Sequence, residues 1–299
     1  MEALVEQGMK DGAWGLSTGL IYNPGAYART TEIVALAKVA ARHGGFYASH
    51  IRDEGVGVLT ALEEALTVGR EAGLPVHVSH LKASGRKAWG KAADEIALIA
   101  RARQAGQAVT ADQYPYTASS TSLAATLIPP RYREGDARDF QARLRDPELG
   151  PKIRKAIERG IEGRQGGKAL RIAYYRPRPA WHGKDLSAIA DREGKSLLEV
   201  VLEIERHGGA QVVNFGMSEE DVRLIMKQPW VATASDGTSQ LLTASSVPHP
   251  RSYGCFPRKV GHYALAEKVI SLEHALRSAS GLPADVLKLP ERGYLRPGY

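Results

Sequence analysis

Two short β-type runs, each closing on Ser-His, constrain this chain more than any other feature. The segment from Gly45 to Lys82 reads GGFYASHIRDE, then VGVLTALEEALTVGREAG, then LPVHVSHLKA. The runs end at Ser49-His50 and Ser79-His80, and a base follows each histidine two places on, at Arg52 and Lys82. Residues two apart on an extended chain point to one side, so each histidine and its base are expected to share a site. The stretch between the runs carries apolar residues at helical spacing and stops at Gly73-Leu74-Pro75. That is a β-α-β unit with a histidine at the C-terminal end of both strands. In a parallel α/β barrel this is the end that carries the chemistry.

The period extends to both sides. Strand-like runs open near residues 13, 45, 75, 107 and 230, and the middle spacings are 30 and 32 residues. Repeated βα units of this length build a (β/α)₈ barrel. An open doubly wound sheet is the alternative, but no glycine-rich phosphate fingerprint follows any strand. The rhythm breaks after Tyr116. Residues 117–229 are rich in charge, with helical segments expected at 137–160, 195–208 and 218–227 and a possible strand at 170–174. The expected organisation is barrel βα units over 1–116, an insertion or lid over 117–229, and the last barrel strand with closing helices over 230–299. The stretch SSVPHPRSYGCFPR after that strand reads as a turn region.

A single cysteine, Cys255, excludes an internal disulfide framework and a four-cysteine zinc site, and suits a reducing, cytoplasmic setting. No apolar run reaches membrane-spanning length. The net charge of +7 is scattered apart from a denser basic region at 131–179, and no aromatic-basic recognition module accompanies it. Nucleic acid is therefore not an expected partner, whereas a small acidic substrate is.

The strand-end residues suggest a metal. Neutral imidazole is a preferred zinc ligand, and a catalytic zinc keeps about three protein ligands and one open position. His50 and His80 supply two ligands. Asp236, in the run ATASDGT, is either a third ligand or the carboxylate that takes the proton of an activated water. A lone strand histidine is more often a packed residue, and Ser235-Asp236-Gly237 alone is only a good turn. His77, three residues before His80, is expected to face the other side of its strand. His249 lies among prolines, either near substrate or merely exposed. Cys255 reads as a packed small residue, since no histidine-cysteine arrangement is evident.

The segments GAWGLSTGLIYNPGAYARTTEIVALAKVAA, FYASHIRDE, VHVSHLKA, ADQYPYTASST, ATASDGT and HPRSYGCFPR together resemble the N-acyl-D-amino-acid deacylases (D-aminoacylases) of the amidohydrolase superfamily. The resemblance runs over nearly the whole chain. It implies a zinc-dependent TIM-barrel hydrolase that releases a carboxylate and a D-amino acid. It implies His50 and His80 as metal ligands, Asp236 as the catalytic aspartate, and Lys82, Tyr114 and Arg251 as the residues that hold the substrate carboxylate, with Ser119 or Ser120 as a further contributor. The family also carries a His-x-His pair after its first strand, a metal-ligating cysteine on an early strand and a small β-sandwich. None of these is found in this chain. The expectation is therefore a partial barrel, about strands 4–8, with little activity alone and an open edge that self-associates or takes a complementing chain. A cyclic-amide amidohydrolase of the dihydroorotase or hydantoinase kind, and a non-catalytic remnant, are the alternatives.

Overall fold

A computed structural model describes residues 1–239, 241 and 246–299. After a first helix α1 (Glu2–Lys10), the chain alternates strand and helix: β1 (Gly15–Gly19), α2 (Thr30–Arg42), β2 (Phe46–His50), α3 (Val58–Ala72), β3 (Val76–Val78), α4 (Ala92–Gln104) and β4 (Val109–Gln113). Helix α3 shows why the sequence does this. Its apolar residues Val58, Ala61, Leu62, Ala65, Leu66 and Val68 fall on one buried stripe, and Gly73 ends it in the left-handed conformation that spares a glycine any Cβ clash. Gly69 lets the helix lie against the next strand, because a Cβ there would meet Val76 Cγ2 at 2.1 Å.

Next comes a layer built differently: β5 (Ser119–Ser122), α5 (Leu123–Leu127), α6 (Ala137–Arg145), α7 (Leu149–Glu162), β6 (Leu170–Tyr174), α8 (Leu186–Glu193), α9 (Leu197–Arg206) and β7 (Gln211–Asn214). The expected helix over 137–160 is two helices. Asp146 precedes Pro147 and is driven extended, and its carboxylate caps α7 through the amides of Glu148 and Leu149. The insertion is also not purely helical. β5, β7 and β6 form an antiparallel sheet in that order, and only β6 was expected. β5 is Ser-Ser-Thr-Ser, without the apolar alternation that marks a strand. This layer has its own core, around Leu123, Ile153, Ile157, Ile172, Trp181 and Val200.

The chain returns through α10 (Glu219–Met226), whose Ile225 packs into the core of the strand-helix repeat, and β8 (Val231–Thr233). The closing segment is α11 (Arg251–Arg258), a π-helical continuation over Lys259–Ala266, α12 (Leu272–Ala279) and α13 (Gly281–Val286). Residues 251–258 are thus helical rather than a turn region, with Pro250 as the N-cap. Part of the expected turn, including Ser245, lies outside the described residues.

All neighbours in the main sheet are parallel, in the order β1-β2-β3-β4-β8, the arrangement of consecutive strands in a βα barrel. β1 and β8 are the outer strands of this open sheet. Tyr47, Val76, Val78, Val109 and Ala111 face the helices and form the core. The opposite sheet face carries Ala48, His77 and Thr110 side by side in register. Among the described residues no helix is long and apolar enough to cross a membrane.

Candidate metal centre

His50 is the last residue of β2, and alternation places it on the sheet face of Ala48 and His77. β3 stops at Val78, so His80 lies beyond the strand, in a left-handed conformation with φ of 40°. That reverses the sequence expectation for His77. By parity His77 shares a face with His50, and His80 reaches the site because the backbone turns there. A histidine at positive φ carries a strain of about 1–2 kcal/mol. Asp112 on β4 holds the turn: its Oδ1 accepts from the His80 amide at 2.8 Å, and its Oδ2 lies 2.8 Å from His77 Nε2. Thr110 Oγ1 lies 2.8 Å from His77 Nδ1 and fixes the ring from the other edge.

The two site imidazoles stand edge to face, with ring centroids 4.4 Å apart. Between them reaches Glu54, which the sequence reading passed over. Its Oε1 lies 3.0 Å from His80 Nδ1 and 3.7 Å from His50 Nε2. The donor atoms of His50, Glu54 and His80 all lie within 4.8 Å of one another. Lys82 Nζ lies 2.5 Å from Glu54 Oε1 and 2.7 Å from His80 Nδ1. A lysine ammonium therefore contacts two of the three donors.

Two observations fit this group to a cation. His50 Nε2 is buried and has no hydrogen-bond partner among the described residues. Burial pushes the His50 imidazole down to about 4, so it is neutral and able to donate its lone pair at neutral pH. Burial alone would raise the Glu54 carboxyl, but Lys82 and the imidazoles outweigh it and hold the group well below the ordinary carboxylate range. Two imidazoles and one carboxylate are a donor set that zinc accepts.

Arg52 does not join them. The chain leaves the extended conformation after His50, and the guanidinium turns to Glu64 at 2.9 Å and to the carbonyls of Ala26 and Ala28. The expectation that both bases share the site with their histidines holds for Lys82 only.

Asp236 follows β8 with φ of 47°, a second left-handed residue at the rim. Its Oδ2 pairs with Arg251 Nη1 at 2.7 Å, while Arg251 Nη2 donates to the Ser120 carbonyl. The Arg251 guanidinium lies over the Tyr114 ring, 4.8 Å from the centroid, and Lys82 Nζ lies 5.6 Å from the same centroid. Burial raises the Tyr114 phenol well above its ordinary value, and its hydroxyl has no partner among the described residues. His50, Glu54, His80, Lys82, Tyr114, Asp236 and Arg251 line one cavity of about 310 Å³, and Ser119 and Ser120 are in its wall. Two other candidates are structural. His249 is buried, accepts from the Arg251 amide at 2.9 Å and contacts the Ala118 carbonyl at 2.8 Å, so it braces the loop that carries Arg251. Burial pushes the Cys255 thiol up to about 12, which leaves it inert.

Comparison with known proteins gives a consistent result. The pattern of the Amidohydrolase family matches residues 1–299. D-aminoacylase of Alcaligenes xylosoxydans xylosoxydans is 36% identical over 299 residues, which is 100% of this chain and 53% of the relative. N-acyl-D-glutamate deacylase of the same organism is 35% identical over 298 residues, 100% of this chain and 52% of the relative. The crystal structure of N-acyl-D-glutamate deacylase from Bordetella bronchiseptica, complexed with zinc and a phosphonate mimic of the tetrahedral intermediate, superposes with a TM-score of 0.79 at 33% identity. It matches 99% of this chain and 54% of that one. A crystal structure of D-aminoacylase gives 0.76 at 34% identity, covering 100% of this chain and 54% of that one. The chain thus spans about half the length of the curated relatives it matches.

Proposed function

The chain belongs to the Amidohydrolase family, and from that premise we propose that it carries the zinc-binding and substrate-binding rim of an N-acyl-D-amino-acid deacylase. The reaction is hydrolysis of the amide bond, giving a carboxylate and a free D-amino acid. The observation that supports this best is that the His50–Glu54–His80 group and the Asp236–Arg251 pair share one cavity. The relatives that are D-aminoacylase and N-acyl-D-glutamate deacylase support the substrate class.

His50, His80 and Glu54 would hold the ion, and zinc bound there supplies a Lewis acid that polarises the acyl carbonyl and acidifies water. Lys82 must leave Glu54 for the ion to take those donors. Arg251 then turns from Asp236 to the substrate α-carboxylate, a bidentate match for a guanidinium, with Tyr114 as an additional donor and Lys82 as a further cation. That exchange frees the Asp236 carboxylate. It takes a proton from the attacking water as the oxygen adds to the acyl carbon, then returns it to the nitrogen as the C–N bond breaks. His249 keeps Arg251 in place through its amide.

The outer strands β1 and β8 have no partner on one side among the described residues. The chain also lacks the His-x-His pair that the family resemblance calls for. Both support a barrel completed by a complementing segment or by self-association, with little turnover from these residues alone. The test loads zinc into the protein, alone and with a segment that supplies a strand ending in His-x-His, and follows N-acetyl-D- and N-acetyl-L-amino acids. D-selective release in the completed barrel is expected. Robust turnover by the chain alone would refute the incomplete barrel. Equal hydrolysis of both enantiomers, or none in either sample, would refute the deacylase.

A further inference from the structure

The cavity that holds the metal group has a second wall, supplied by the insertion, and the mechanism above leaves it idle. Arg164 lies in the turn after α7 and lines that cavity together with Asn214 at the end of β7. Every other charge there is answered. Lys82 pairs with Glu54 and Arg251 with Asp236, and the Asp53 carboxylate accepts the amides of Gly55 and Gly57. Arg164 makes no ion pair among the described residues. Among the described residues its one hydrogen bond runs from Nη1 to the Gly160 carbonyl of its own helix at 3.2 Å, and its buried Nε has no partner. Burial depresses the guanidinium, and no neighbouring carboxylate opposes the shift. Asn214 Oδ1 is likewise buried without a partner, and rotation of that amide would offer its NH₂ instead.

A desolvated guanidinium without an anion is costly to hold, and its fork fits a carboxylate in two-point contact. A substrate with one carboxylate is satisfied by Arg251 and leaves Arg164 unanswered. We propose that Arg164 is a specificity-determining residue that binds a second carboxylate of the substrate, so that the preferred substrate is a dianion. This deepens the deacylase reading and rests on it. The second carboxylate comes either from an acidic D-side chain or from a dicarboxylic acyl group, and both present the same chemistry to Arg164.

The metal-free protein binds substrate without consuming it, so affinity is read by calorimetry. The ligands are N-acetyl-D-glutamate, N-acetyl-D-glutamine, N-acetyl-D-leucine, N-succinyl-D-leucine and glutarate. One dianion should bind about tenfold or more tightly than its neutral counterpart, with Arg164→Met abolishing the preference and Arg164→Lys retaining part of it. Preference for N-acetyl-D-glutamate over the glutamine compound places the carboxylate on the side chain. Preference for N-succinyl-D-leucine over N-acetyl-D-leucine places it on the acyl group. Either supports the proposal. Binding of N-acetyl-D-leucine with no preference for any dianion overturns the subsite and leaves the deacylase intact. Arg164-dependent binding of glutarate without binding of any N-acyl-D-amino acid upholds the subsite and refutes the deacylase. Arg164 has one structural alternative, as a brace on the C-terminus of α7. If Arg164→Met and Arg164→Lys lower the melting temperature and change no affinity, the brace is the whole role and the proposal falls.

Discussion

Replacing Asp112 by alanine tests how the site is held together. Asp112 lies beneath His80, half-buried, with one oxygen on the His80 amide and the other on His77 Nε2, both at 2.8 Å. Hydrogen bonds to a charged group are each worth about 1.5–3 kcal/mol. Alanine removes both and leaves the left-handed turn at His80 to carry its own strain of about 1–2 kcal/mol. Part of the loss is recovered because Thr110 still reaches His77 Nδ1. The expected destabilisation at pH 7 is therefore about 3–5 kcal/mol, measured by urea unfolding with an unchanged m-value. Burial would raise the Asp112 carboxyl, but the His77 hydrogen bond and the nearby imidazoles outweigh it, and the folded state holds the group below its ordinary value. A lowered carboxyl stabilises the fold above its unfolded pKa and loses that contribution as pH falls through the folded value. The gap between wild type and Asp112→Ala should accordingly narrow in acid. Zinc affinity should fall about 10–100-fold, the usual cost of losing a group that orients a ligand. A loss of stability below about 1 kcal/mol with zinc affinity within twofold would refute the idea that Asp112 sets the His80 turn.

Two further outcomes follow from buried charge. Glu95 is fully buried, both its carboxylate oxygens are unpartnered among the described residues, and burial pushes it up to about 8. The folded state thus keeps a proton that the unfolded chain releases, and stability should fall as pH rises from about 4.5 to about 8. Glu95→Gln should remove that slope and gain roughly 1–3 kcal/mol at pH 8, below the ceiling of about 5 kcal/mol set by the full shift. Identical pH profiles for wild type and variant would contradict this. In the completed enzyme, Arg251→Lys should raise KM for an N-acetyl-D-amino acid about tenfold or more, because a point charge replaces a fork. Unchanged kinetic constants would remove Arg251 from the substrate pocket.

The βα rhythm was legible because parallel strands covered by helices leave a strong pattern: β2, β3 and β4 open within two residues of the positions read from sequence. His50, His80, Lys82, Tyr114, Asp236 and Arg251, the residues expected from sequence to form a site, line one cavity. Glu54 escaped notice because it lies in an irregular turn four residues after His50, where strand parity says nothing. The signal that would have found it is an acid four residues past a strand-terminal histidine. His77 defeats strand parity for a related reason: His80 lies beyond β3 in a left-handed turn, so alternation does not carry from one histidine to the other. The antiparallel sheet of the insertion was hidden because the β5 residues Ser119, Ser120, Thr121 and Ser122 carry no apolar alternation, and their pairing with β7 spans some 90 residues. Arg164 was one base among many in a basic region, and only its burial without a counter-ion distinguishes it.

The most direct measurement of the central claim is an anomalous difference map at the zinc edge from crystals grown with zinc. The expected map shows an ion bonded to His50 Nε2 and His80 Nδ1 at about 2.0–2.1 Å, with Glu54 as a further ligand and the Lys82 side chain displaced from its contact with Glu54. An ion bound elsewhere, or no ion between these histidines while Lys82 keeps its present place, would contradict it.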